Sequence, residues 1–363
     1  MAELVRYGED WEILAVLPKH CGYESIAKDS SVRVYWFAQD GNYLKRYFFD
    51  RFVLRQLGRE FRPDAVFALG HLGYPSLGGI QLVRLADAHF VYPKSQWGPM
   101  SWKERFRYAF QKRQFAWTVR NAAVIYCQTQ TMIQRLQSIY HPAGQIRLLP
   151  NVLGRESVRQ TAESQLQIPP WTKGRFRMIC LCRYYGHKNL EIFLPLYKTY
   201  RNQLRDTVLF LTIAPEQDPG AAQLLRRIER ERLGSHIVNL GPIRQSEVGG
   251  YFAQCQALLF PTLLESFSAT YLEAMYHGLP IITSGMDFAR EICGDSALYC
   301  DPLSVDSIYQ GIERLRKEPI LAEQLKKAMS ERFGILSRRT WKENAEQILE
   351  DVRELVHNVR DAE

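Results

Sequence analysis

The feature that most constrains this chain is a strand-then-helix rhythm that runs through its first half, breaks off, and starts again. In the first run, Trp11–Leu17 and Val32–Phe37 are β-branched or aromatic stretches of strand length, and Asn42–Phe61 has helical periodicity. Ala65–Leu69 and Ala88–Tyr92 read as buried strands, Trp102–Arg120 as a helix, Ala123–Cys127 as a strand and Thr129–Ile139 as a helix. Ile146–Leu149 is a last strand, ending in Pro150-Asn151. Residues 152–174 then turn polar, carry Pro169-Pro170 and stop at Gly174, the profile of an interdomain connection. The rhythm resumes with strands at Phe176–Cys182, Val208–Ile213, Ile237–Leu240, Ala257–Phe260 and Ile281–Thr283. Helices at Asn189–Asn202, Ala221–Leu233, Ser246–Cys255 and Ala269–His277 alternate with them, and Val305–Arg316 and Trp341–Arg360 follow.

Strands separated by helical segments imply parallel sheets with helices on both faces. A chain of 363 residues is also too long for one ordinary core. The fold class expected is therefore α/β, with two Rossmann-like, doubly wound domains facing across a cleft. The expected boundaries are 1–151 for the first domain, 152–174 for the linker and 175–340 for the second domain. A C-terminal helix, 341–363, is expected to pack back on the first. Ligands of such sheets bind at the carboxyl ends of the strands.

The longest strongly apolar stretch, Val208 to Pro215, falls far short of the roughly 20 residues that span a bilayer. No charged-then-apolar leader opens the chain, and seven scattered cysteines include no pair with zinc-finger spacing. The expectation is a reduced, cytoplasmic protein without structural metal. Residues 1–150 hold 20 Lys and Arg against 12 Asp and Glu, whereas 151–363 hold 27 of each. All the excess positive charge thus lies in the first half, which suits an anionic partner: a membrane surface, a nucleic acid or a phosphorylated acceptor. No nucleic-acid-binding module is recognisable, and nucleic acid is not expected.

The stretch richest in chemistry runs from Pro261 to Pro280 as a strand, a tight loop and a short helix. Ser268 suits the N-cap, Gly278 the left-handed residue past the helix end, and Pro280 blocks continuation. Backbone NH groups of Ser268, Ala269 and Thr270 would be free to hold a phosphate at the helix N-terminus. A carboxylate beside a phosphate repels it, so Glu265 and Glu273 suit sugar hydroxyls instead. A second element, Met178 to Leu190, ends a strand and turns into a helix. It places Arg183 as a fork and Lys188 as a point charge within reach of one diphosphate. Between them, Gly241-Pro242-Ile243 form a strand-end turn against which a base can stack. Taken singly, each Glu also reads as a surface residue of an amphipathic helix, and Arg183 and Lys188 as two solvated cations.

In this order and spacing the motifs resemble glycosyltransferase family 4. The resemblance rests on the Arg183/Lys188 pair, the Leu240-Gly241 turn, the E-x7-E spacing of Glu265 and Glu273, Gly278 to Ser284, Glu291 and Asp301-Pro302. It reaches the first half more loosely, through Ala123–Thr129 and Leu149-Pro150-Asn151. It implies the GT-B fold and retaining transfer of a sugar from a nucleotide-sugar, a UDP-sugar with UDP-glucose first, to a glycan or lipid-linked acceptor. Arg183 and Lys188 would neutralise the departing diphosphate, Glu273 would hold the ribose, and Glu265 would act catalytically on the transferred sugar. NH groups after Phe267 would bind phosphate. No D-x-D occurs, which agrees with metal independence and with the absence of a cofactor. His71, just past a strand, is a further catalytic candidate, against the alternative of a structural hydrogen-bonder; His89 and Tyr92 rank below it.

Departures from the family are Cys182 before Arg183, and Ser266 and Ser268 where relatives carry Gly. The family opens with a strand, a Gly-rich loop and a helix, and this chain is expected to begin near the end of that helix. The first domain is thus expected to be shortened, with Gly70 and Gly73 as partial substitutes. On Trp102–Arg120, the stripe Trp102, Phe106, Phe110 and Trp117 is expected to pack on the sheet, leaving a basic face for anionic lipid. The competing reading is an inactive GT-B-like binding or scaffold protein. A dehydrogenase is excluded because no strand is followed by G-x-G-x-x-G.

Overall fold

The computed structural model describes residues 2–7, 11–21, 23–24, 26, 32–38, 48–154, 158 and 166–362. The start of the expected Asn42–Phe61 helix and residues 155–157 and 159–165 of the expected linker fall outside these. Helical structure is described from Phe49, as a wide turn to Val53 that continues as Leu54–Phe61.

Among the described residues, twelve strands form three parallel sheets. β1 (Ile13–Pro18) and β2 (Val32–Phe37) pair in parallel on their own. These are the strands expected at Trp11–Leu17 and Val32–Phe37, and residues 19–31 connect them. Gly70 and Gly73, the expected substitutes for an opening Gly-rich loop, lie beyond β3 (Ala65–Ala68), and Gly73 N donates to Thr118 Oγ1 at 3.0 Å. The main sheet of the first half runs β3, β4 (Ile80–Leu85), β5 (Val124–Cys127), β6 (Gln145–Leu148). The strand expected at Ala88–Tyr92 is a correction: Ala88–Phe90 is a 3-10 turn, because the Asp87 carboxylate takes the His89 NH at 3.0 Å and bends the chain. The strand of that region is β4, which the sequence reading passed over.

The second sheet contains β7 (Phe176–Cys180), β8 (Thr207–Leu211), β9 (Ile237–Asn239), β10 (Ala257–Phe260), β11 (Ile281–Ser284) and β12 (Ala297–Cys300). Its order is β9-β8-β7-β10-β11-β12, so the chain works outward in one direction and then in the other. That reversal puts the topological switch point, where such sheets bind ligands, between β7 and β10. Every residue of β8 and β10 is buried, as strands covered on both faces require.

Side chains alternate across a strand, and the first sheet shows it. Val83, Leu85, Ile125 and Cys127 face a core that continues into the second domain. Leu82, Val124 and Tyr126 face the other way, onto Ile348 and Val352 of the C-terminal helix Trp341–Ala362. That helix is fixed by buried Asp351, which accepts from Tyr126 Oη and pairs with Arg147, and by Asn344, whose amide donates to Pro150 O at 2.9 Å. No helix among the described residues is long and apolar enough to cross a membrane.

The helix Trp102–Asn121 contradicts expectation. It buries Tyr108, Phe115, Thr118 and Val119, and leaves Trp102, Phe106, Phe110 and Trp117 74%, 73%, 57% and 41% exposed. Positions 108, 115 and 119 occupy the side opposite 102, 106, 110 and 117, so the helix carries two apolar stripes and packs through the other one.

Candidate functional site

The site is assembled by strand ends. Beyond β7 the chain passes Cys182 and Arg183 and forms the turn Gly186–Lys188, closed by Asn189 in the left-handed region at φ 60°. The Asn189 amide donates to Pro302 O at 2.7 Å and Pro261 O at 3.2 Å, and the Leu263 NH donates to His187 O at 2.8 Å. These ties hold the loop against the end of β10. Lys188 consequently meets Glu265: Nζ donates to Oε1 at 2.5 Å, with the Thr262 hydroxyl 2.9 Å from the same oxygen. The side chains are 12% and 9% exposed, so this is a buried ion pair. Burial lowers the Lys188 pKa, but the adjacent Glu265 charge and hydrogen bond outweigh it and the net shift is upward. Glu265 Oε2 takes no hydrogen bond from the described residues. Arg183 stands exposed and makes no ion pair among them.

The helix Ala269–Tyr276 starts where expected, with Ser268 at the N-cap position, but the Ser268 hydroxyl does not cap it. The NH groups of Ala269 and Thr270 precede the first intrahelical acceptors and are left for another partner. Phe267 and Ser268 are buried and Ala269 is exposed. Glu273 is buried within the helix, and Gly278 closes it at φ 64°. Gly241, at φ 73°, follows edge strand β9 with Pro242 exposed and Ile243 half-buried, so this turn borders the site rather than its centre.

The first domain supplies the facing wall. Ser266 Oγ donates to Ala86 O at 2.9 Å, just past the end of β4. There Asp87 Oδ1 lies 2.6 Å from His89 Nδ1 and Tyr108 Oη donates to Oδ2 at 3.1 Å. Burial raises the Asp87 carboxyl, but the His89 hydrogen bond and charge and a backbone NH outweigh it, bringing it to about 2. His89 Nε2 is buried without a hydrogen-bond partner among the described residues. The His89 ring meets His187 edge-on at 5.1 Å, across the two domains. Burial, then Lys188 and His89, holds the His187 pKa well below its ordinary value.

Lys188, Glu265, the start of the helix after Ser268 and His89 therefore lie where the two halves meet, and Arg183 is exposed on the loop that leads to Lys188. His71 lies tilted against Phe90 at 4.5 Å, its Nε2 also buried and without a hydrogen-bond partner among the described residues, and burial lowers its pKa. Of the two histidines, His89 has the ring contact to the second domain. The sequence reading gave His89 a weak status because a lone His at a strand's end is more often a structural hydrogen-bonder; the Asp two residues before it was the available signal. Tyr92 bridges elsewhere, donating to Asp287 at 3.0 Å beside the Arg135–Asp287 pair. Glu291 accepts from the NH groups of Gln130 and Thr131 at 2.5 and 2.8 Å, joining the domains at the N-terminus of the helix Gln130–Tyr140.

Comparison with known proteins bears on the fold. Residues 162–332, just under half of the chain, match the family described as Glycosyl transferases group 1. The O-antigen chain mannosyltransferase B of Escherichia coli is 31% identical over 123 residues, which cover 33% of this chain and 32% of that protein. The match thus spans about a third of the relative's length. Sucrose-phosphate synthase from Thermosynechococcus elongatus superposes with a TM-score of 0.73 at 17% identity, covering 98% of this chain and 92% of that one. The Anabaena protein HepE, solved with UDP and glucose, gives 0.69 at 14% identity over 97% of this chain and 95% of its own. WaaG, a glycosyltransferase of lipopolysaccharide biosynthesis, gives 0.64 at 15% over 97% and 94%. The fold is GT-B, and residues 162–332 of the second half match the Glycosyl transferases group 1 model.

Proposed function

We propose that this chain is a retaining, metal-independent glycosyltransferase that moves a hexose from a nucleoside-diphosphate sugar to a glycan or lipid-linked acceptor. The observation that carries the reading is the buried Lys188–Glu265 pair at the switch point, with Arg183 open beside it. Lys188 has donors left after pairing once, and Arg183 has its whole fork, so both reach a diphosphate emerging over β7. Amide NH groups of Ala269 and Thr270 add positive potential at the helix start. Together these groups stabilise the departing diphosphate, the work a divalent cation does elsewhere. Glu265 Oε2 suits a hydroxyl of the transferred sugar and Glu273 the ribose, with the base stacked near Gly241, Pro242 and Ile243. His89, oriented by Asp87, offers Nε2 to the sugar or acceptor from the opposite wall, and His71 lies behind it on Phe90. Retention follows if the acceptor hydroxyl attacks from the face of the leaving phosphate, which takes its proton.

The donor proposed first is UDP-glucose, which the UDP and glucose of the Anabaena neighbour support. The mannosyltransferase likeness favours a second reading, mannose on a nucleoside diphosphate. Calorimetric titration with UDP, GDP, ADP and TDP, each with and without chelator, tests the proposal. One nucleotide should bind selectively with unchanged affinity in chelator. No binding by any of the four, or binding only with added magnesium or manganese, would overturn it.

A further inference from the structure

The exposed stripe on the helix Trp102–Asn121 is the largest feature that donor chemistry leaves unused. Trp102 to Trp117, with Phe106 and Phe110 between them, lie 15 residue steps apart, about 22 Å of helix at 1.5 Å per step. A soluble surface rarely lines up four exposed aromatics, and such a patch marks an interaction site. What covers it is indicated by the charge around it. Lys103, Arg105, Arg113 and Arg120 are exposed on the same helix, with Lys112 at its margin. Among the described residues none of these five pairs with a carboxylate. The helix's one acidic residue, Glu104, is taken up in the capping box with Ser101, accepting from the Ser101 NH and hydroxyl at 2.8 Å each. An aromatic row flanked by unpaired cations and no free anion complements an anionic bilayer surface. Rings enter the interface while Lys and Arg stay at the headgroups. A protein partner would call for carboxylates of its own, and a second copy of this helix would oppose its cations to like charges.

We propose that this helix is an interfacial anchor that seats the first domain on an anionic lipid bilayer, Trp102, Phe106, Phe110 and Trp117 entering the headgroup layer. The two terminal tryptophans suit the amphipathic boundary, and the opposite face stays bonded to the core through Tyr108, Phe115 and Val119. Docking is independent of donor identity, because Arg183, Lys188 and Glu265 lie in the other domain.

The test is cosedimentation of the full chain with vesicles of phosphatidylcholine alone or mixed with phosphatidylglycerol. Wild type should partition onto the anionic vesicles roughly tenfold or more better, with the preference falling at 1 M salt, where the Debye length is about 3 Å. Phe106→Ser/Phe110→Ser should lose roughly tenfold at low salt through lost ring burial. Arg105→Glu/Arg113→Glu should lose the phosphatidylglycerol preference. All four positions are exposed, and unchanged thermal unfolding would show that the variants fold. Equal, negligible pelleting with both vesicle types would overturn the proposal. So would binding that Phe106→Ser/Phe110→Ser leaves intact. Absence of vesicle binding with a concentration-dependent dimer in sedimentation velocity, abolished by the same variant, would assign the stripe to a second copy instead.

Discussion

Glu265→Gln isolates the buried pair, because it keeps the size of the side chain and removes only its charge. In the wild type, Lys188 and Glu265 compensate each other inside the protein. Removing one partner of a buried pair costs about 3–5 kcal/mol, since the remaining charge is left uncompensated. For a domain of this size each kcal/mol moves the unfolding temperature by roughly 2–4 °C, so the loss is on the order of 10 °C. The variant should also change its response to pH, and the sign follows from linkage. In the wild type the folded Lys188 pKa is raised, so its contribution is complete below about 10.4 and is lost only as pH rises through the folded value. Without the Glu265 charge the strongest opposition to burial is gone, and the folded pKa should drop below that of the unfolded chain. The unfolded state then binds more protons, and stability rises with pH until both states are neutral. Urea unfolding at pH 7, 8 and 9 should therefore show a large deficit at pH 7 that narrows toward pH 9, while the wild type stays flat through this group. A variant within about 1 kcal/mol of wild type at pH 7, with no gain toward pH 9, would refute a charged, buried Lys188 held by Glu265.

Gly186→Ala should act on closure rather than on the donor half: a Cβ there would stand 2.1 Å from Pro99 O of the first domain. Nucleotide affinity by calorimetry should be kept while turnover falls about 100-fold, the cost of an ångström of misplacement. Acid stability should depend on the buried histidines, since His71, His187 and His236 all have lowered pKa values, with burial the first cause in each. Folded, they refuse a proton that the unfolded chain accepts near pH 6.5, so stability should fall as pH drops below that value, and His187→Gln should flatten the slope measured by urea unfolding between pH 7 and 5.5.

Much of the fold was legible because fully buried strands announce themselves. Val208–Ile213 and Ala257–Phe260 are continuous apolar runs, and β8 and β10 fall within two residues of them. Where the reading failed, a local competitor decided the outcome. Ala88–Tyr92 has strand composition, yet the Asp87 carboxylate captures a backbone NH and makes a turn. β12 and the helix Asp287–Cys293 were passed over; both are short, and Gly294, at φ 53°, separates them. The helix Trp102–Asn121 failed differently. Periodicity reports that a stripe exists, but this helix has two, and only contact with the sheet decides which is buried.

The site divides along the same line. Arg183, Lys188, Glu265 and Gly278 could be found because each is placed by punctuation close to it in sequence: the end of a strand, a turn, a helix start or stop. That Lys188 and Glu265 would meet at 2.5 Å could not, for they are 77 residues apart and their contact exists only because β7 and β10 become neighbours. The reversal of strand order creates that adjacency, and it puts a cation and a carboxylate from separate loops over one crevice. His89 was obscured for the complementary reason: its partner Asp87 is near in sequence, but its neighbour His187 belongs to the other domain. A residue whose significance lies wholly across the cleft leaves little trace in the spacing of its own segment. In a two-domain fold the facing wall should therefore be harder to read from sequence than the donor half, and His89 and Tyr108 lie on that wall.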